Sequence, residues 1–110
     1  MSGSWSEPVV GLVTSRLALL ADPTRVRLLA LLEQGEGTAR DLAAGMVSTP
    51  QNVSRHLGLL HNAGIIARRR EGACTVYSLV DYSACRLLDQ ALESVRGQLD
   101  ELADLVKLAA

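Results

Sequence analysis

Over the last 30 residues the apolar side chains fall at Leu88, Leu92, Val95, Leu99, Leu102, Val106 and Ala109, and one step back lands on Cys85. Alternating steps of four and three form the seam of a paired helix and predict a single long helix, α5, over 81–108. That seam is longer than the short elements before it can cover, so a second copy of the chain is expected against it. Near the other end Val10, Val13, Leu17 and Leu20 share one stripe at helical spacing, which predicts α1 over 8–20. Asp22-Pro23 supplies a cap and a first-turn proline for α2, over 23–33. Val26, Leu28, Leu29, Leu31 and Leu32 make α2 apolar on most sides and assign it to the core. After the loop Gln34-Gly35-Glu36-Gly37, Thr38 and Asp41 form a capping-box pair that opens a short α3, ending near Gly45.

The stretch from Thr49 to Ile66 holds α4. Thr49 can cap it, Pro50 suits its first position, Gly64 suits the residue past its end, and Val53, Leu57 and Leu60 form its buried stripe. The other faces carry Gln51, Asn52, Ser54, Arg55 and Gly58, a surface of amide, hydroxyl and guanidinium groups with no carboxylate. Those groups match base edges in a major groove, where Arg pairs with guanine and Asn or Gln with adenine. Taken alone, such a face is also what an ordinary solvated helix presents. The residues downstream of α4 tip the balance. Arg68, Arg69 and Arg70 run on in extended form, Glu71-Gly72 reads as a turn, and in 73–79 Thr75, Tyr77 and Leu79 alternate with Cys74, Val76 and Ser78. This is a β-hairpin, β1 and β2, over 66–79. A polar helix followed by a basic hairpin is the layout of a winged helix-turn-helix, with 38–63 the helix-turn-helix and 66–79 the wing. The expected fold is mainly α with a β-hairpin, in the order α1-α2-α3-α4-β1-β2-α5, one domain over 1–110. On this layout Gln51, Asn52, Ser54 and Arg55 read bases, while Thr38, Arg40, Thr49, Arg68, Arg69 and Arg70 hold phosphates. The dimer forms through α1 and α5, using Val10, Val13 and Leu17 with Cys85, Leu88, Leu92, Val95, Leu99, Leu102 and Val106.

Composition agrees with a helical core. Apolar residues make up 48% of the 110, yet there is no Phe, one Trp and two Tyr, so Leu, Ala and Val must fill the interior. The net charge of −1 is uninformative, but its distribution is not. From Gly37 to Arg70 five arginines face one acid, whereas from Asp81 onward six acids outnumber three bases. A basic reading head on an acidic body binds DNA through its local field. The N-terminus has no basic leader region, Arg16 interrupts the apolar residues after it, and no apolar run reaches membrane-spanning length. Two cysteines make no secreted framework. A cytoplasmic protein with no membrane association is expected.

With these pieces in order, the chain resembles the ArsR/SmtB family of bacterial winged-helix regulators. The matching residues are Leu20-Ala21-Asp22-Pro23-Thr24-Arg25-Val26-Arg27-Leu28-Leu29, Asp41-Leu42-Ala43, and Asn52-Val53-Ser54-Arg55-His56-Leu57 with Leu60 and Ala63-Gly64-Ile65-Ile66. Arg70-Glu71-Gly72 and Tyr77-Ser78-Leu79 complete the match in the wing. The resemblance covers 17–95 and implies a dimer that represses a promoter until an effector loosens its hold on DNA. The family's three familiar metal sites are broken here. The thiolate pair of its arsenic sensors falls on Thr38 and Arg40. The zinc, cobalt and nickel set on the last helix falls on Asp81, Ser83, Ser94 and Gly97, and the recognition-helix thiolates of cadmium and lead sensors on Leu59 and Ala63. One surviving carboxylate cannot hold a borderline transition metal. No metal ligands are assigned, and only a weak nickel or zinc effector at a differently built site is left open, with the turn holding Asp81 and Cys85 the first place to look. The thiol-responsive members of the family pair a cysteine of the second helix with one of the last, and α2 has none. Cys85 then reads as a small buried hydrophobe, Cys74 as an incidental exposed thiol, and His56 as a structural imidazole.

The leading functional reading is a homodimeric, sequence-specific transcriptional regulator on a palindromic operator in double-stranded DNA. Repressor is the family default, and activator stays open. The alternative is an interaction protein that needs a second regulatory protein for DNA binding. An enzyme finds no support, since no nucleophile set, paired carboxylates or phosphate loop is present, and no catalytic residue is assigned.

Overall fold

The computed structural model describes residues 4–109; residues 1–3 and 110 of the expected 1–110 domain lie outside them. The elements are α1 (Glu7–Leu20), α2 (Pro23–Gln34), α3 (Ala39–Ala44), α4 (Pro50–Asn62), β1 (Ile66–Glu71), β2 (Cys74–Leu79) and α5 (Tyr82–Ala109). The order is the one expected.

Local chemistry sets the boundaries. Asp22, Thr38 and Thr49 each accept a backbone N–H three residues on, from Arg25, Asp41 and Asn52. At Thr38 the box closes, because Asp41 Oδ2 takes the Thr38 N–H in return at 3.1 Å. α4 stops in a Schellman turn. Gly64 sits at φ 76°, its N–H bonds to the His61 carbonyl, and the Ile65 N–H reaches back to that of Leu60. Leu60 and Ile65, which flank the motif, are both fully buried.

The core lies where α2, α4 and the first turn of α5 meet the base of the hairpin. Leu28, Leu29, Val53, Leu57, Leu60 and Ile65 are fully buried, with Leu42, Ile66, Tyr77, Leu79 and Ala84 around them. Val26, expected inside, is not among them. At 37% exposure it lines an open crevice between α2 and α5, because α2 is covered on fewer sides than its sequence suggests.

The hairpin pairs Ile66 with Leu79 through to Glu71 with Cys74. Its turn is therefore Gly72-Ala73, one residue later than the expected Glu71-Gly72. Only Gly72 takes a positive φ, 62°, the first-position glycine of a type II′ turn, and Glu71 stays in the ladder. β2 is paired on its other edge as well. Gly37 and Tyr77 exchange both backbone bonds, at 3.1 and 2.8 Å, so the wing is stitched to the loop that leads into α3.

Candidate nucleic-acid interface

The caps aim α4. Its buried stripe, Val53, Leu57 and Leu60, turns Gln51, Ser54 and Arg55 to solvent, while Asn52 and Gly58 are half-buried. Apart from its chain neighbours and the backbone of its own helix, nothing lies within 4 Å of where a Cβ on Gly58 would stand, so this stretch of the face is open. Asn52 is engaged at both ends of its amide. Its Nδ2 donates to Ser48 Oγ at 2.9 Å, and its Oδ1 accepts from Arg55 Nη2 at 3.2 Å. It thus orients Arg55 and must give up a local bond to pair with a base.

Behind the face lies an imidazole set between two guanidiniums. His56 is 6% exposed; its Nδ1 is 3.0 Å from Arg25 Nη1 and its Nε2 is 3.3 Å from Arg55 Nη2. A neutral imidazole has one acceptor nitrogen, so the shorter contact, at Nδ1, is the hydrogen bond and Nε2 carries the proton. Asp22 Oδ1, the α2 cap, stands 3.9 Å from Nδ1. Burial pushes the His56 pKa below its ordinary 6.5; Asp22 opposes the shift, and Arg55 and Arg25 add to it. Arg25 Nε also donates to the Leu19 carbonyl. His56 is therefore the structural imidazole expected, tying α2 to α4. A lowered histidine pKa means the unfolded chain takes the proton first as pH falls. Stability should be whole above pH 6.5 and decline as pH falls from there through the lowered folded value. The lowered carboxyl of Asp22 acts only below 3.8. Thermal melts across this range should show the decline, and His56→Gln should flatten it; an unchanged slope in the variant would assign it to another group.

The wing completes the surface. Thr38, Arg40, Ser54, Cys74, Thr75 and Tyr77 line a cleft of about 450 Å³ between the start of α3, α4 and β2. Strand alternation puts Arg68 and Arg70 on the side of their partners Tyr77 and Thr75 and Arg69 on the other, and all three border a hollow that adjoins the cleft through Thr75 and Tyr77. Among the described residues neither Arg68 nor Arg70 has a carboxylate partner. Arg69 has two. Its Nη1 and Nη2 grip Glu36 in a fork at 2.8 and 2.7 Å, and Nη2 also meets Glu71 at 2.8 Å. The fork holds the Glu36 carboxyl below its usual range and raises the Arg69 pKa further. The triplet thus divides into two unpaired cations on the side of Tyr77 and Thr75 and one that fastens the wing to the α2–α3 loop.

On the far side of the head, α5 runs on past its own domain for about 42 Å in all. Every residue from Asp89 to Ala109 is exposed, including Leu92, Val95, Leu99, Leu102 and Val106 of the seam. Leu17 is exposed beside Leu12 and Leu87 in an apolar groove between α1 and α5, while Val10 and Val13 are half-buried. Cys85 departs from the expected interface. It is 5% exposed within its own chain, against the core, because the first turn of α5 still lies over α2; it has little surface to give a partner. Burial, then Glu33 and the charges of Asp89 and Asp81, push its thiol up to about 11, so it stays protonated near neutrality. Asp81 is also engaged. It accepts the backbone N–H and hydroxyl of Ser83, which hold its carboxyl low, and Arg16 Nη1 stands 3.6 Å from its Oδ2. The Asp81–Cys85 turn therefore offers no ready pair of metal donors. Among the described residues no group of three or more His, Cys, Asp or Glu comes together. None of their helices is long and apolar enough to cross a membrane.

Three residues with work in this surface were not singled out from sequence: Arg16, Arg25 and Glu36. Arg16 carried one signal, a lone cation in an apolar helix. The family described as bacterial regulatory protein, arsR family, matches residues 22–68. The uncharacterized HTH-type transcriptional regulator Rv0081 of Mycobacterium tuberculosis is 34% identical over 107 residues, covering 96% of this chain and 94% of the relative. The crystal structure of the AntR antimony-specific transcriptional repressor superposes with a TM-score of 0.80 at 30% identity, over 90% of each chain. The homodimeric winged helix-turn-helix DNA-binding domain Mb0332 of Mycobacterium bovis superposes with a TM-score of 0.69 at 25% identity, over 92% of this chain and 95% of that one.

Proposed function

This chain belongs to the arsR family of bacterial regulatory proteins, and on that premise we propose that it is a homodimeric repressor that reads a palindromic operator with α4 and holds the flanking backbone with its wing. One observation carries the reading: Ser54 of the carboxylate-free α4 face lines one cleft with Thr38 and Arg40, and Thr75 and Tyr77 join that cleft to the neighbouring hollow bordered by the arginines of β1. Gln51, Ser54 and Arg55 read bases, Asn52 joins them by exchanging its local bonds, and Thr38, Arg40, Thr49, Arg68 and Arg70 hold phosphates. The exposed seam of α5 with the groove beside α1 forms the dimer, in line with the homodimeric domain it superposes on. A metal effector such as AntR's name implies has to draw donors from both chains, because no set of three assembles among the described residues of one. The relatives are named as transcriptional regulators, which favours this reading over a co-regulator that needs a partner chain.

The test is binding of the purified protein alone to duplexes selected from a random pool, titrated with salt. Arg68→Ala with Arg70→Ala should lower the slope of log affinity against log salt by about 2, at roughly 0.9 per lost phosphate contact, on selected and random DNA alike. Arg69→Ala should leave the slope nearly unchanged and loosen the wing instead. An unmutated protein that binds no duplex by itself would sink the reading in favour of the co-regulator, and an unchanged slope in the double variant would take the wing off the backbone.

A further inference from the structure

Arg16 joins three elements that DNA reading must hold in register. It sits on α1, and its Nη2 donates to the carbonyl of Ala63 at 3.1 Å, 47 residues away. Ala63 is the C-cap of α4, and its carbonyl lies at the negative end of the helix. The Schellman turn takes up the carbonyls of Leu60 and His61, and Arg16 answers that of Ala63. The other arm of the fork, Nη1, stands 3.6 Å from Asp81 Oδ2, whose second oxygen accepts from Ser83 in the first turn of α5. The other anchors of α1 gather at its last turn, where Leu20 is buried, Leu19 packs on the core and the Leu19 carbonyl accepts from Arg25. One guanidinium thus spans the end of the recognition helix and the start of the long helix, from the helix that lies beside the apolar groove.

We propose that Arg16 is a positioning residue for operator recognition: it fixes the angle of α4 to the α1–α5 dimer frame, and so sets the distance between the two recognition helices. The proposal rests on the functional reading above. A dimer reads half-sites about one helical turn apart, so a small rotation of each head on the frame moves both recognition helices out of their grooves. The ion pair alone, half-exposed and 3.6 Å long, adds little. The effect comes from one rigid fork engaging two helices at once, which an ammonium cannot reproduce.

The experiment uses duplexes that the unmutated protein selects from a random pool, together with copies whose half-sites are moved apart or together by one base pair. Arg16→Ala should remain a dimer by light scattering and bind random duplex as before. It should bind the selected duplex about tenfold more weakly, the loss of one hydrogen bond from a charged donor. Its preference for the original spacing over the shifted ones should shrink. Arg16→Lys, which keeps one contact at a time, should fall between. An unaltered spacing preference in Arg16→Ala, or equal losses on selected and random DNA, would overturn the proposal. Should Arg16→Ala fail to fold or dimerise, Arg16→Lys decides, and a wild-type spacing profile there would overturn it. If the unmutated protein selects no sequence, the functional reading falls first and takes the proposal with it before any variant is compared.

Discussion

Leu92→Glu or Leu99→Glu should turn the protein into monomers and remove operator binding almost entirely. Both leucines sit on the seam of α5, about half exposed; Leu92 borders the crevice against α2, and Leu99 lies on the exposed turns beyond it. In a two-fold pair each meets a partner residue across the seam, so a glutamate there brings two carboxylates into an apolar contact where neither finds a cation. Burying even one unpaired charge costs more than a helix pair of this size gains from one seam position. A monomer presents one recognition helix to one half-site. Affinity should then fall toward that for random DNA, a loss of roughly 10³-fold or more. The head should stay folded, since its core of Leu28, Leu29, Leu57 and Leu60 does not involve either position. Light scattering beside a circular dichroism melt separates dimer loss from unfolding. A monomeric mass for the unmutated protein would end this account, as would a glutamate variant that remains a dimer.

Periodicity and capping chemistry made most of the fold legible. Asp22, Thr38 and Thr49 announced three helix starts, Gly64 one stop, and the alternation around Tyr77 the second strand, because each signal acts within a few residues. Contacts between distant residues were not legible. Glu36 and Arg69 are 33 positions apart, and nothing in a run of three arginines says that the middle one points away from its neighbours into a carboxylate pair. Arg16 and Ala63 are 47 apart. Cys85 fails for a related reason: a heptad seam marks the face of a helix but not what covers it, and the first turn of α5 lies over its own core while the later turns do not. At Val26 hydrophobicity alone argues for the interior, yet a two-helix crevice leaves the side chain half open. The base-reading face came from residue chemistry, and the structure adds that Asn52 is already spoken for by Ser48 and Arg55.

That last pairing sharpens what Arg55 should do. Its guanidinium is exposed on the second turn of α4, held at 3.2 Å by Asn52 Oδ1 and lying 3.3 Å from His56 Nε2. Only the first is a hold, and a weak one: the Asn52 bond is long for one donated by a charged group, while His56 Nε2 carries its own proton when Nδ1 accepts from Arg25 and so offers Arg55 no acceptor. Such a side chain is kept near the groove without being locked, and it can trade these contacts for two parallel bonds to guanine O6 and N7. Arg55→Ala should therefore cost roughly 1–3 kcal/mol on the selected duplex and relax the preference at one base position in each half-site. On random duplex the loss should be small, and the salt slope should barely change, because a base contact releases no phosphate counterion. Arg55→Lys should recover only part of the affinity, since an ammonium lacks the planar fork. Competition assays with duplexes substituted one position at a time would show which base loses its preference. Equal losses on selected and random DNA, with a slope lower by about 1, would make Arg55 a phosphate contact and leave base reading to Gln51 and Ser54.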